Sequence, residues 1–183
     1  MTDHSSSGSP AAPVEVVRLP QYTRADQDEI LGPGDDPFGV AHTGLAFLPK
    51  DIHFGVRSDG GRLVAHTGLL QLPLTVGSTD VPAVGVGGVA VAPDRRGGGL
   101  ARAVVGAALD HARTLGPAYA LLFCRPPLVG LYERRGFRAV PGEVTVEQPG
   151  GRLVVMPLHT MWAPLRAGAA WPEGAARLRS LPM

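Results

Sequence analysis

Apolar and polar positions form short alternating runs along the first half of the chain, a pattern that favours strands over long helices. The run VEVVRL (14–19) predicts a first strand, and TRADQDEI (23–30) predicts a helix capped by Thr23, with acidic residues in its first turn. Two strand-like runs follow at 53–58 and 61–74. The DGG that joins them is typical of a hairpin turn.

The segment 32–50, between this helix and hairpin, is rich in Gly and Pro and predicts a long loop with a short helix, a feature that is usually functional. Farther along, VPAVGVGGVAVAP (81–93) predicts a strand whose glycines indicate a bulge or a close backbone approach. A helix is predicted from Leu100 to about Thr114, with apolar residues on one face. The remaining predictions are a buried strand at 118–124, a short helix ending at Gly136, closing strands at 137–140 and 152–165, and an ordered or semi-ordered extension at 167–183.

This order of elements predicts an α/β fold with one sheet of mixed direction. Its strand–helix–strand unit is expected to be parallel and right-handed. Residues 1–13 are small and polar and predict a disordered tail, which leaves 14–183 as a single domain with a C-terminal extension.

Composition narrows the function classes. The chain has 183 residues and a net charge of +1, which argues against a nucleic-acid partner. Its start lacks a secretory signal, and no apolar run approaches about 18 residues, so we expect a cytoplasmic protein with no membrane partner. Cys124 is the only cysteine, which rules out an internal disulfide, and no His, Cys and carboxylate spacing suggests a metal. The sequence leaves a homodimer open.

The glycine loop RRGGGLA (95–101) separates the strand at 81–93 from the helix that follows. A P-loop is excluded because the only lysine, Lys50, lies far upstream, and the dinucleotide-like GVGGVA (85–90) lies inside the strand rather than after it. The first amides of a helix lack internal acceptors and carry the positive end of its dipole, so a diphosphate can bind there. The loop therefore predicts a diphosphate site, with a glycine-rich turn among surface arginines as the alternative.

The neighbouring residues resemble a known family. VGGVAVAPDRRGGGLARAVV (86–105) resembles the acyl-CoA-binding core of the GNAT superfamily of N-acetyltransferases, and LYERRGFRAV (131–140) resembles the second signature of that superfamily. Within it, the segment 61–98 resembles the aminoglycoside 2′-N-acetyltransferases, of which the kasugamycin-modifying enzymes are one branch. His66, in VAHTGLL, is one of the matching points.

This resemblance implies a GNAT fold, in which a central mixed sheet flanked by helices is splayed at the acetyl-CoA site. It implies antibiotic resistance by direct acetyl transfer, through a tetrahedral intermediate, from acetyl-CoA to a primary amine of an aminoglycoside-type antibiotic. Tyr132 matches the tyrosine that protonates the leaving CoA thiolate, and the Val89 amide or a neighbour would stabilise the oxyanion. The cofactor-binding positions implied are Val89, Ala90 and Val91 for the pantetheine arm, and Arg96, Gly97, Gly98, Gly99, Leu100 and Ala101 for the diphosphate.

The chain departs from the family at one position. Many members carry a glutamate, acting as base, where this chain has Gly87 with Gly88 beside it. The base must then come from elsewhere, or the amine must arrive neutral. Asp35, Asp36 and His53 lie in or beside the loop that would flank the acceptor, and we expect them to bind substrate, with a solvated loop position as the alternative for each acid.

Other residues keep alternatives. Cys124 is expected to be a buried structural thiol, because a nucleophilic cysteine needs a neighbouring base. Trp162 and Trp171 are expected either to line the acceptor pocket or to pack in the core, and Tyr132 to act as an acid or simply to pack. Two other functions remain open: acetylation of a protein or peptide amine, and a non-catalytic acyl-CoA sensor.

Overall fold

The computed structural model describes residues 14–183, so the predicted tail at 1–13 lies outside the described residues. Short 3₁₀ turns are present at Ala41–Thr43, Pro93–Arg95, Pro126–Leu128 and Pro149–Gly151. The strands and helices are β1 (Val17–Leu19), α1 (Arg24–Leu31), β2 (Ile52–Arg57), β3 (Leu63–Leu72), β4 (Leu74–Val76), β5 (Thr79–Asp80), β6 (Ala83–Val91), α2 (Leu100–Ala112), β7 (Tyr119–Cys124), α3 (Val129–Glu133), β8 (Arg138–Ala139), β9 (Val144–Gln148), β10 (Arg152–Val155), β11 (His159–Pro164) and β12 (Ala176–Leu178).

The main sheet has seven strands in the order β1-β2-β3-β6-β7-β11-β8. Its β6–β7 pair is parallel, and its other pairs are antiparallel. The predicted mixed sheet, the β2–β3 hairpin and the parallel strand–helix–strand unit are therefore confirmed. None of the helices formed by residues 14–183 is long and apolar enough to cross a membrane.

The β6–β7 pair opens partway along its length. Pairing runs only from Ala83 to Gly85 on β6, opposite Tyr119 to Leu121 on β7. Beyond Gly85, β6 remains paired with β3 on its other side, and a register shift there leaves two β6 residues facing Thr67 alone. This is the bulge that the glycines predicted, and Gly88 within it has a φ of +62°, which favours glycine. The splay leaves one edge of β6 without a partner strand.

A second sheet of five strands, ordered β10-β9-β12-β4-β5, was not predicted. Its centre is β12, which comes from the C-terminal extension and pairs with β4 and β9. Its edge strand β5 contains only Thr79 and Asp80 and pairs with β4. These strands are only two to five residues long, and the central strand β12 pairs with β4 and β9, which are far from it in sequence, so local periodicity indicates them weakly.

The helices follow the predicted patterns closely. Thr23 and Asp26 form a capping box at the start of α1. The helix α2 packs on β2, β3 and β6, and burying each Val or Leu of its apolar face contributes about 1.5–3 kcal/mol. The buried face of α2 comprises Val104, Val105, Ala108, Leu109 and Ala112.

Trp162 and Trp171 belong to an aromatic cluster with Tyr119. The two tryptophan rings lie 5.3 Å apart, and the Tyr119 ring lies 6.0 Å and 5.8 Å from them. Both tryptophans pack against hydrophobic residues of the core. The core-packing alternative is therefore the correct one for this pair.

Candidate active site

The opening between β6 and β7 holds a cavity of about 330 Å³. Its floor is β6 from Val86 to Val89, and its walls are the end of β7, the start of α3, one side of α1 and the loop at 35–50. The volume lies near the lower end of the range for small-molecule sites. The polar side chains in its lining are Arg24, Gln27, Asp35, Asp36, Lys50, Cys124, Arg125 and Tyr132.

An adjoining groove of about 380 Å³ follows the free edge of β6. The groove is lined by six of the predicted cofactor and catalytic positions: Val89, Ala90, Val91, Arg96, Ala101 and Tyr132. The other four predicted positions do not line the groove. They form the loop and the first turn of the next helix, and they are Gly97, Gly98, Gly99 and Leu100.

The glycine loop has a backbone that needs its glycines. Gly97 and Gly99 have φ values of +81° and +77°, in the left-handed region, and Gly99 is the N-cap residue of α2. The first-turn amides of α2 lack internal acceptors, and no side chain caps them. Arg102 lies in the first turn of α2. Burial lowers the pKa of Arg135, and the nearby positive charges of Arg102 and Arg134 lower it further. This concentration of positive charge suits a phosphate-bearing ligand.

Tyr132 lies where the cavity and the groove meet, and it lines both. Its side chain is 6% exposed, and its ring packs edge-on against Phe137 at 5.9 Å. Burial, with a smaller effect of Cys124, raises the pKa of Tyr132 above its usual value. The phenol is therefore protonated at neutral pH and able to donate a proton into the cavity.

Cys124 also lines the cavity, but its surroundings are those of a structural thiol. Its Sγ donates a weak hydrogen bond to Sδ of Met161 at 3.8 Å. Burial raises the pKa of Cys124 to about 11. A thiol with so little thiolate at neutral pH is a poor nucleophile.

Lys50 occupies the space beside Gly87, the position where the family resemblance placed a glutamate. A Cβ atom built on Gly87 would lie 3.0 Å from Cε of Lys50 and 3.5 Å from its Nζ. Burial lowers the pKa of Lys50 to about 8. Lys50 was not predicted as a site residue, although its being the only lysine of the chain was a usable signal.

His53 and His66 form a pair beneath the neighbouring cavity, which is lined by both. Nδ1 of His66 lies 2.9 Å from the Gly88 carbonyl, and Nε2 of His66 lies 3.1 Å from Nδ1 of His53. Because the carbonyl only accepts, Nδ1 of His66 must donate. Burial lowers the pKa of His66 to about 4, so its Nε2 is bare at neutral pH and accepts from His53. The pair thereby holds the backbone of the β6 bulge.

The three predicted substrate positions separate into different surroundings. Asp36 accepts hydrogen bonds from the backbone amides of Val40 and Ala41 at 2.8 Å and 3.0 Å, which orders the loop and, with the Ala41 bond as the first cause, lowers the pKa of Asp36. Asp35 and Asp36 both line the cavity between β6 and β7. His53 does not line it and lies instead in the neighbouring cavity.

The charge of the main cavity is mixed rather than acidic. Asp35 and Asp36 face three cationic residues, Arg24, Lys50 and Arg125. Arg24 is bound to Asp28 at 2.8 Å, and no salt bridge in the described part of the chain involves the other two cations. Within residues 14–183, no group of three His, Cys, Asp or Glu is placed to hold a metal ion.

Two apolar contributors to the site were also not foreseen. Phe38 lines the main cavity, the groove and the cavity beside His53 and His66, so it lies where the three meet. Met183 packs on the floor: a Cβ atom built on Gly87 would lie 2.9 Å from its Sδ. Met183 comes close to the strand only because the segment before it pairs with the loop, through a hydrogen bond from the Leu48 amide to the Pro182 carbonyl at 2.6 Å.

Comparison with known families and structures gives a consistent result. A family model described as an acetyltransferase (GNAT) domain matches residues 46–140. A comparison with curated proteins found no significant match.

Three solved structures illustrate the likeness in fold. The GNAT family N-acetyltransferase YhbS of Escherichia coli, in complex with CoA, is 18% identical over 94% of each chain, with a TM-score of 0.58. A GNAT family acetyltransferase of Brucella melitensis, in complex with acetyl-CoA, is 17% identical over 90% of this chain and 96% of its own, with a TM-score of 0.52. The ribosomal-protein-S18-alanine N-acetyltransferase of Escherichia coli is 18% identical over 86% of this chain and 100% of its own, with a TM-score of 0.51.

Proposed function

This chain belongs to the GNAT acetyltransferase family and is an acetyl-CoA-dependent N-acetyltransferase; from that premise, we propose that its acceptor is a primary amine of an amino-sugar antibiotic of the aminoglycoside or kasugamycin type. The activity would confer resistance, because an acetylated amine no longer carries the positive charge of an ammonium group. We propose that the protein acts in the cytoplasm.

The observation that carries the proposal is the position of Tyr132 at the junction of the cavity and the groove. Acetyl-CoA bound along the free edge of β6 would supply an activated thioester there. We assign Val89, Ala90 and Val91 to the pantetheine arm, because β6 lacks a β7 partner beyond Gly85. The first-turn amides of α2 and Arg96 would hold the phosphates.

The protein side of the transfer follows from this arrangement. The Val89 amide would stabilise the negative charge that develops on the carbonyl oxygen. Tyr132 keeps its proton at neutral pH and gives it to the departing sulfur. Tyr132 is buried and Val89 is half-buried, and this reduced exposure strengthens these interactions relative to water.

The acceptor amine must attack as the free base. Gly87 offers no carboxylate, and Lys50 lies beside it. A cation near the acceptor lowers the pKa of the acceptor ammonium, so deprotonation is favoured before attack. Of the two open alternatives for the proton, we therefore propose that the amine arrives neutral.

The mixed charge of the cavity bears on the choice of acceptor. Asp35 provides one carboxylate for an amino-sugar ammonium, whereas Lys50 and Arg125 disfavour a molecule with many positive charges. Among the candidates, we expect an amino sugar of low net positive charge to bind better than an amino sugar with many ammonium groups. Kasugamycin, gentamicin and tobramycin are the panel in which this order is to be measured.

The test incubates the protein with acetyl-CoA and each antibiotic and follows the release of free CoA thiol and the mass of the product. Tyr132→Phe is the matched variant, since it removes one hydroxyl from a packed ring. We expect kcat to fall about a hundredfold or more in this variant, with acetyl-CoA affinity by calorimetry unchanged.

Each alternative function has its own outcome. Turnover of peptide amines without turnover of any amino sugar would select a protein acceptor. Acetyl-CoA binding with no turnover of any amine, and no effect of Tyr132→Phe, would select a non-catalytic acyl-CoA sensor.

A further inference from the structure

The only lysine of the chain is built into the floor of the candidate site. The stem of Lys50 lies against Gly68 of β3 and Gly87 of β6. A Cβ atom on Gly68 would lie 2.7 Å from Cβ of Lys50 and 2.8 Å from its Cγ, and one on Gly87 would lie 3.0 Å from Cε. A side chain at Gly68 would collide with the lysine stem, and one at Gly87 would require the end of the lysine to shift by a few tenths of an ångström. The two glycines therefore form a trough on this face of the sheet that accommodates the lysine stem.

The end of the Lys50 side chain lines the main cavity, in which the acceptor amine is proposed to bind. Nζ lies 3.5 Å from the same Cβ position on Gly87, and Gly87 precedes Val89 by two residues on β6. Two residues of a strand span about 7 Å. Val89 and Tyr132, the two groups assigned to the thioester, line the same cavity as Lys50. The amine of Lys50 and the two groups assigned to the thioester therefore share one cavity.

The amine has no carboxylate to hold it as an ammonium ion. No salt bridge between the residues that the structure describes involves Lys50. Burial lowers the pKa of Lys50 to about 8, so an appreciable part of it is the free base near neutral pH. A free primary amine near the thioester position has the chemistry of an acetyl acceptor.

We propose that Nζ of Lys50 is itself an acetylation site, modified by the enzyme's own reaction when no substrate amine occupies the cavity. This inference rests on the proposed acetyl-CoA site but not on an amino-sugar acceptor. The Nζ lone pair attacks the thioester carbonyl carbon, the C–N bond forms and the C–S bond breaks. The sulfur takes the Tyr132 proton, which solvent replaces, and the nitrogen releases its surplus proton to water. The products are acetyl-lysine and CoA.

The modification changes the site in two ways. It converts the Lys50 cation into a neutral amide, and it places an acetamide group in a cavity of about 330 Å³. Both changes act on the acceptor half of the site and leave the free edge of β6 and the glycine loop as they are. Acetylated protein is therefore expected to bind acetyl-CoA as before and to have an altered KM for its amine acceptor.

The experiment is made direct by the presence of a single lysine. Native protein is incubated with acetyl-CoA and no acceptor, and the intact mass and the peptide map are followed with time. We expect the mass of one acetyl group to appear at Lys50, separately from any modification of the N-terminal amine. Lys50→Arg keeps the positive charge and is expected to gain no acetyl group at this position. Tyr132→Phe is expected to slow the modification at least about tenfold.

The same incubation of urea-unfolded protein measures uncatalysed acetylation of the lysine. Equal rates in the folded and unfolded chains would overturn the inference, as would an unmodified Lys50 in protein shown by calorimetry to bind acetyl-CoA. In the second case the proposed function still stands. Failure to bind acetyl-CoA would overturn both. Acetylation of Lys50 in a protein that acetylates no amino sugar would support the inference and remove the proposed acceptor.

Discussion

The buried histidine behind the β6 bulge leads to a prediction about stability and pH. The His66 ring is 1% exposed, stacks on Tyr22 with ring centroids 3.5 Å apart, and donates to the Gly88 carbonyl. Burial lowers the pKa of His66 from 6.5 to about 4 in the folded protein. The fold therefore favours the neutral ring, and His66 stabilises the fold fully only above pH 6.5.

The size of the effect follows from proton linkage. Between pH 6.5 and pH 4 the unfolded chain binds a proton at His66 that the folded chain does not, so stability falls as the pH falls. Each pH unit in this window lowers the free energy of unfolding by about 1.4 kcal/mol. Across the window, His66 accounts for a loss of roughly 3 kcal/mol.

Comparison with His66→Asn isolates this contribution, because the asparagine amide can donate to Gly88 but does not titrate. Urea unfolding, followed by the fluorescence of Trp162 and Trp171, gives the free energy of unfolding of both proteins from pH 4 to pH 7.5. The advantage of the wild type over the variant should shrink by roughly 3 kcal/mol on acidification. His42→Asn, on an exposed loop turn, controls for the loss of a histidine as such. An advantage that stays constant over this range would refute the reasoning.

Three further predictions concern the site. Arg96→Ala should raise the KM for acetyl-CoA roughly tenfold with little change in kcat, because a charge-assisted phosphate contact is lost; Arg95→Ala, outside the groove lining, is the control, and equal effects would contradict the assignment. Cys124→Ser should leave kcat nearly unchanged in steady-state assays, whereas an inactive, folded variant would show that the thiol takes part. Asp36→Ala should lower the free energy of unfolding in urea through loss of its two amide hydrogen bonds, while Asp35→Ala should leave stability unchanged and raise the acceptor KM; the reverse pattern would exchange their roles.

Much of the main sheet and of the cofactor side of the site was predictable, because the signals are local. The Thr23 cap, the hairpin turn and the left-handed glycines at 97 and 99 each depend on residues close together in sequence. The predicted groove residues are likewise consecutive along β6 and the helix start, and Tyr132 was found through the pattern immediately around it. Such features need only the backbone preferences of neighbouring residues.

The acceptor side was predicted less completely, because its residues meet across long separations. Lys50 lies beside Gly87 only after the loop at 45–50 has paired with the C-terminal segment. The His53–His66 contact depends on the register of β2 against β3, which a bulge alters. Asp36 was predicted to bind substrate, and its hydrogen bonds from the loop amides are visible only in three dimensions.

By itself, the sequence determined the strand, the glycine loop and the helix of the proposed cofactor site, since left-handed glycines and one apolar helix face permit few other conformations. It also determined that no carboxylate stands at Gly87. The tertiary structure alone decided what takes that place. A lysine stem lies this close to the paired strands β3 and β6 only where both present glycine on the same face, and no local pattern indicates that positions 50, 68 and 87 will converge. Burial there also decides the pKa of Lys50, because desolvation depends on the whole surrounding fold.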